Sequence, residues 1–416
     1  MKAEGALRGR ALGVVFGAFV AQMGLGLAYV RAPLFKDIIA EFGWSRGDFS
    51  AAAAVTNFAV AGLSPLVGWL TFRLGARAVV SASLAWAGVL FALFSRMQSY
   101  GELVALHVGL GFMVAGVGDI AVGSAVAGWV ARGRGIALGV VYSGSNVGGF
   151  LVSIAVPSVL ARGGSWRDAL LFTAGAALLV LLPLAALGLR DPPAALPAAA
   201  ARAAPEPAAP GEAGGISLAE ALRTREFWLL WGALFAFYFY YLGIQPHLVA
   251  YFTDLGIPLD QASYGFGASV AVGVLAKLGI GLIGDRWPAR RALLLNFALL
   301  CAASLLLLAA PLSARVLPLF LLLHGLAVAA QNVAYPLIVA HCFGARNLAQ
   351  IYGVLMLALA PGGGLGSTFA GYVFDWSGSY RPALQLFALL NAGALLAILA
   401  LRAERPAAAG REPARG

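Results

Sequence analysis

Charge is what this chain has least of. Of 416 residues, 11% are Asp, Glu, Lys or Arg, against ~25% in an average soluble domain. A water-facing surface needs more than that, so a soluble globular fold is excluded. Cysteine is nearly absent too. Cys301 and Cys342, the two present, lie inside apolar stretches and supply neither a disulfide framework nor metal-ligand spacing. There is no H-E-x-x-H helix, no paired-aspartate constellation and no G-x-x-x-x-G-K-[ST] loop. Those absences argue against an intramembrane hydrolase and against ATP as an energy source, so the chain reads as a non-enzyme with no cofactor. Three lysines stand against twenty-five arginines; with abundant alanine, that bias suggests a GC-rich bacterial genome.

What remains is apolar, 61% of the chain. Twelve stretches are free or nearly free of charge: roughly 11–30, 49–72, 78–95, 103–131, 135–161, 169–189, 227–253, 261–284, 292–314, 316–345, 347–374 and 382–401. Each suffices for the ~20 residues that carry a helix across hydrocarbon. None alternates in segments of ~10 residues as barrel strands do, so an all-α membrane protein with twelve transmembrane helices is expected. The first run, behind Lys2, Arg8 and Arg10, is too long for a signal-peptide core and lacks a small-residue cleavage site; it reads as the first span.

The net charge of +10 suggests nucleic acid until it is sorted by topology. With both termini cytoplasmic, the inner segments hold 19 of the 28 Lys and Arg, the outer loops 8, and one, Lys277, lies within a span. Carboxylates divide 9 inside and 8 outside, with Asp119 in a span. The outer face is then neutral and the excess faces anionic lipid, as the positive-inside rule requires. No nucleic-acid partner is expected. The expected location is a bacterial inner membrane, the expected state a monomer.

The chain is also duplicated. GSWRDAL at 164–170 returns as GSYRPAL at 378–384, an offset of 214. Gly43, Gly68, Arg73 and Arg77 map at 213 onto Gly256, Gly281, Arg286 and Arg290, and Gly148 and Gly149 map at 214 onto Gly362 and Gly363. A parallel repeat in so apolar a chain suggests a carrier whose halves enclose a midplane site. The expected organisation is a six-helix bundle over 1–190, a Pro/Ala/Gly-rich cytoplasmic linker over 191–225, a second bundle over 226–402 and a disordered tail over 403–416. Ser217 and Glu220 have capping-box spacing, marking a short helix at the end of the linker.

The loops after the second and eighth spans carry GWLTFRLGARA (68–78) and GLIGDRWPARR (281–291). They resemble the G-x-x-x-D-R-x-x-x-R loop of the major facilitator superfamily. The resemblance implies a conformational latch: Arg73, Arg77, Asp285, Arg286 and Arg290 would reach helix termini across the two halves and exchange partners as the transporter rocks. Phe72 replaces the usual Asp in the first copy, so the latch should be stronger at 285/286. PLFKDIIAEFGWSR (33–46), WVARGRGIALG (129–139), GSNVGG (144–149) and QPHLVAYFTDLG (245–256) together resemble the bacterial monocarboxylate and oxalate/formate transporter branch.

Polar groups inside spans cost ~2.5–3.5 kcal/mol at the centre for Lys or Asp and mark function by default. At ~1.5 Å per residue, Lys277 lies ~12 Å deep and Asp119 ~20 Å. Gln22, Asn146, Gln331 and Asn332 fall in the same band, which a shared wet cavity would explain. In the resembled branch the eighth span carries an Arg that pairs with a substrate carboxylate, and Lys277 occupies that position. It keeps the charge without the planar fork. Lys277 is therefore expected to bind an anionic substrate, with Tyr29, Tyr142, Tyr240, Tyr241 and Tyr335 as candidate wall residues, Tyr335 foremost because it shares a helix face with Gln331. Asp119 is expected to pair with Lys277 when the site is empty and to take a proton when substrate arrives. His247, beside Pro246, is a candidate for gating or proton coupling; His107, His324 and His341 read as structural. The implied function is proton-coupled transport of a small organic anion, a monocarboxylate since no second midplane cation is seen. The alternative is a facilitator or exporter of a neutral or cationic solute, with Lys277 in a structural ion pair. A receptor with a transporter fold would be expected to carry an added soluble domain.

Overall fold

The computed structural model describes residues 2–130, 134–191, 215–283, 289–344 and 347–401. Twelve helical passages run through them: α1 (Gly9–Phe42), α2 (Arg46–Leu74), α3 (Ala76–Phe94), α4 (Tyr100–Trp129), α5 (Gly135–Ala161), α6 (Trp166–Gly188), α7 (Arg225–Asp254), α8 (Leu259–Ile283), α9 (Ala289–Ala309), α10 (Leu317–Phe343), α11 (Gln350–Ser377) and α12 (Arg381–Leu399). An even number of crossings puts both ends of the described chain on one face, here called proximal; the opposite face is distal.

Two hydrophobic cores form. One draws on residues from Val14 to Leu189 and the other on residues from Ala221 to Leu401, and each takes a single alanine from the opposite side, Ala250 and Ala32. The duplicated glycines have a backbone reason. Gly43 and Gly256 turn the chain after the first and seventh passages with φ of 66° and 84°, where a Cβ would clash. Two further glycines let helices touch. A side chain at Gly148 would run into the Met23 carbonyl of α1, and one at Gly366 into the Phe239 carbonyl of α7. The α1–α5 and α7–α11 packings are thus built alike, on small residues as in other bilayer helices.

Helix starts follow local chemistry. Ser45 with Asp48, Ser165 with Asp168 and Ser217 with Glu220 each form a reciprocal capping box. The last opens the turn Leu218–Ala221 as the sequence implies. The Glu220 carboxyl is held below the usual carboxylate range, first by the Ser217 backbone N–H and then by its hydroxyl. Ile216 N–H donates to the Phe343 carbonyl at 3.1 Å, docking this segment on α10.

The first passage corrects the sequence reading. It continues past Val30 through a 3₁₀ turn at Leu27–Val30 and reaches Phe42. Arg31 therefore lies within it, its Nε donating to the Ala28 carbonyl at 3.2 Å. Lys36 lies near its distal end, paired with Asp254 of α7 at 2.5 Å. Charge ended the apolar run, but partners inside the protein let the helix go on.

Candidate functional site

Lys277 is buried, with 8% of its surface exposed. Its Nζ donates to the Tyr142 carbonyl at 2.8 Å and to Ser145 Oγ at 3.2 Å, both on α5 of the other half. Next to it, Asn146 Nδ2 donates to the Val270 carbonyl of α8 at 2.7 Å. The glycines of α5 are what permit this approach: with α1 drawn close behind, α5 presents its Ser-Asn edge to α8. An ammonium has three N–H donors. Two are used, both on neutral oxygens.

The space beside Lys277 is a cavity of about 150 Å³ walled by Tyr29, Asn146, Tyr238, Tyr241 and His324, among others. Tyr29 and Tyr241 share a hydroxyl–hydroxyl bond of 3.0 Å across the two halves. Phe266 packs edge-on against Tyr29, ring centres 5.9 Å apart. The volume suits a solute of a few heavy atoms.

The fourth passage is broken at this level. One helix ends at Gly116 and another begins at Asp119, with Gly118 as its N-cap. The break leaves the Val117 carbonyl without a helical partner, and Gln22 Nε2 of α1 supplies one at 3.1 Å while also reaching Asp119 Oδ1 at 3.4 Å. Asp119 stands in the first turn of a helix, where the dipole favours negative charge. Asp119 is exposed. Its charge is felt by Lys277, Tyr142, Tyr238 and Tyr352. Asp119 and Lys277 are not in direct contact: among the described residues no ion pair within 4.0 Å includes either. The expected empty-site pair is absent, because Lys277 is drawn to α5 and Asp119 to Gln22.

The other expected site residues divide. Tyr142 gives its carbonyl to Lys277 and brings its hydroxyl near Gly123. Gln331 is turned to α9, accepting from Asn296 Nδ2. The Tyr335 hydroxyl donates to the Leu230 carbonyl of α7 inside the second core. Both serve as glue between helices, the other use of a polar group in lipid. The Asn332 side chain lies outside the described residues.

His247 is not a lining residue of the cavity, although Gln245 and Leu248 beside it are, and it is fully buried at the distal junction. Its ring nitrogens meet Ser50 Oγ at 3.1 Å, the Tyr380 hydroxyl at 2.9 Å and the Ser367 carbonyl at 3.1 Å. It thereby ties α2 to α11 and α12. Around it the halves are sealed. Arg46 grips Asp254 with both terminal nitrogens, at 2.6 and 3.1 Å, donates to the Tyr380 hydroxyl at 2.8 Å and lies 3.6 Å over the Phe374 ring.

The sequence profile of the Major Facilitator Superfamily matches residues 14–313 and again 246–416. The chain belongs to that superfamily. It is therefore a membrane transporter of small molecules and not an enzyme. Among curated proteins it is 27% identical over 406 residues to monocarboxylate transporter 11 of Homo sapiens, covering 90% of this chain and 79% of that one. It is 29% identical over 345 residues to an uncharacterized 38 kDa protein in the 23S RNA operon of Thermoproteus tenax, covering 82% and 79%. A crystal structure of a bacterial homolog to the human lysosomal transporter Spinster, in an inward-facing and occupied conformation, shares the fold. Its TM-score is 0.64 at 17% identity, over 94% of this chain and 93% of that one.

Within this facilitator fold, the described residues among those expected to latch the proximal face make their contacts within their own half or at the start of the linker. Arg73 is exposed and stacks on Trp69 of its own helix, 5.5 Å from the ring centre. The Arg77 backbone N–H donates to the Asp191 carboxylate at 3.1 Å, a contact with the first residue of the linker and not with the second half. Arg290 does reach a helix C-terminus, its Nη2 donating to the Leu399 carbonyl at 2.6 Å, but that helix is α12 of its own half. Asp285 and Arg286 lie outside the described residues. Among the described residues no ion pair joins the proximal ends of the halves, while two join the distal ends.

Sequence reasoning missed the distal seal and the place of His324 in the cavity wall. Arg46, Asp254 and Asp375 passed as ordinary loop charges, and His324 as one structural histidine among three. A basic and an acidic residue at the starts and ends of pseudo-equivalent spans was the available signal for the first; nothing in the sequence distinguished the second.

Proposed function

We propose that this transporter moves a small organic anion, a monocarboxylate, by alternating access with a proton as its partner. The supporting observation is the Lys277 ammonium: buried at a cavity between the halves and, among the described residues, held only by neutral oxygens with one N–H unused. A carboxylate entering the cavity would supply the charge partner the protein withholds, in a charge-assisted bond stronger than either neutral one. The names of the relatives at 27% and 28% identity point the same way. The facilitator alternative, in which Lys277 is spent in a structural ion pair, has no such pair among the described residues to support it.

The cycle follows from the contacts. With the distal seal formed and Tyr29 bonded to Tyr241, solute would exchange with the proximal side, taken as cytoplasmic. Asp119 would carry the proton on its half-helix, and loss of its charge would free Gln22 and relax its pull on Lys277. Closing the proximal ends through Arg73, Arg77, Asp285, Arg286 and Arg290 would then release the distal seal, with His247 changing partners. The setting is a bacterial inner membrane, and one chain holds the complete site.

Thermal unfolding of the purified protein with lactate or pyruvate against the uncharged lactamide tests the charge requirement. Stabilisation by the anions alone, lost in Lys277→Ala, is the expected outcome; equal stabilisation by lactamide would sink it. For the proton, Asp119→Asn should abolish gradient-driven uptake while leaving exchange of labelled acid across the membrane, and unchanged gradient dependence would refute that role.

A further inference from the structure

Lys277 answers one end of a small acid, and the wall of the same cavity carries a second polar group able to meet a solute. His324 on α10 lines the cavity and is 3% exposed. Its Nδ1 meets the Tyr240 hydroxyl at 2.7 Å. Phe320 stacks on the ring at 5.2 Å and Tyr240 meets it edge-on at 5.5 Å, so the ring cannot swing. Ser304 lies beside the Tyr240 hydroxyl and takes a hydrogen bond from Asn391 at 2.9 Å. A buried polar line thus runs from α12 through α9 and α7 to the cavity wall.

The other ring nitrogen is different. His107 also has a partnerless Nε2, but that atom is sealed in the core. His324 Nε2 has no partner among the described residues, and it is not among the sealed atoms. With Nδ1 taken by Tyr240, Nε2 is the ring nitrogen left to meet a solute in the cavity that His324 lines. A line of buried polar groups is costly unless satisfied at both ends, and an apolar pair at 240 and 324 would fill the same volume without it.

A side chain at Gly325 would meet the Ser269 carbonyl, so His324 stands level with that turn of α8. The Lys277 ammonium reaches up α5 to Ser145, next to the Asn146–Val270 bond. Lys277 and His324 line one and the same cavity of about 150 Å³.

We infer that His324 is a specificity-determining residue: its Nε2–H, set by the Tyr240 hydroxyl donating to Nδ1, hydrogen-bonds a polar substituent of the acid whose carboxylate takes Lys277. This rests on the carboxylate reading above. Tyr240 is a positioning residue that fixes the ring and its tautomer. The site then selects short acids bearing a hydroxyl or oxo group over bare alkanoates of equal length, because a buried donor is left unpaired by the latter.

The test is the uptake of labelled propionate, lactate and pyruvate into proteoliposomes, with KM and Vmax taken separately for wild type, His324→Leu, His324→Gln and Tyr240→Phe. Wild type should show a KM about tenfold lower for lactate and pyruvate than for propionate, the size of one buried hydrogen bond. The ratio should fall to near one in His324→Leu, return in His324→Gln, whose amide N–H reaches the same place, and fall partly in Tyr240→Phe. A ratio that is already one in wild type, or that survives in His324→Leu, overturns the inference while leaving Lys277 in place. Equal loss for all three acids in His324→Leu, unrescued by Gln, assigns His324 to packing and overturns it too. Uptake of none of the acids removes the carboxylate reading, and this one with it.

Discussion

The Asp375 carboxylate at the end of α11 caps the start of α2 across the two halves, accepting from the Arg46 N–H at 3.0 Å and the Gly47 N–H at 2.6 Å. A helix N-terminus leaves four N–H groups unpaired and favours negative charge. Here the other half of the molecule supplies the anion. The bond exists only while the distal ends are together, so it stabilises one conformation of the cycle and not the fold.

Asp375→Ala should therefore favour distal opening without unfolding the protein. Loss of a cap costs about 1 kcal/mol, or roughly fivefold in the equilibrium. Ala54→Cys, buried where α2 faces Gly364 of α11, reports it once Cys301 and Cys342 are replaced. Labelling by a membrane-impermeant maleimide should rise about threefold to tenfold in Asp375→Ala, with no change in thermal unfolding. Unchanged labelling would remove the cap from the gating account.

Arg46 separates charge from shape. Its fork holds both Asp254 oxygens and its face lies on Phe374, and a lysine keeps neither arrangement. Arg46→Lys should raise Ala54→Cys labelling nearly as far as Arg46→Ala. Wild-type labelling in Arg46→Lys would mean that positive charge alone holds the seal.

The α1–α5 packing predicts a stability effect of about 1–3 kcal/mol, typical of overpacking. A methyl group at Gly148 would run into backbone of Met23, 2.9 Å from its carbonyl carbon, whereas one at Gly232 would meet nothing within 4 Å. Gly148→Ala should lower the unfolding temperature in detergent, Gly366→Ala should do so similarly, and Gly232→Ala should not. Indifference to Gly148→Ala would show that the helices can separate freely.

These contacts show which parts of the molecule could be read in advance. Twelve spans and their duplication were legible because lipid forbids unpaired backbone over long stretches, leaving charge-free runs no other meaning. The Ser217–Glu220 box was legible because its partners are three residues apart. Lys277 stood out because a lysine at that depth has few reasons to exist. Its partners did not: Tyr142 offers a backbone carbonyl, which no sequence pattern marks. Arg46 and Asp375 are separated by 329 residues, and each alone looks like a solvated loop charge. Gln331 and Tyr335 lay at the right depth but on helix faces that packing turned to α9 and α7. Depth follows from counting residues; orientation about the helix axis depends on neighbours that only the assembled bundle supplies.

Proton-gradient-driven uptake of labelled lactate and pyruvate into proteoliposomes, comparing wild type with Lys277→Ala, bears most directly on the central claim. Truncating one partner of a buried charge pair costs about 2–5 kcal/mol, so apparent affinity should fall roughly thirtyfold or more. Lys277→Arg, which keeps the charge, should retain part of the uptake. Wild-type kinetics in Lys277→Ala would contradict the account, whatever the fate of the rest of the cavity.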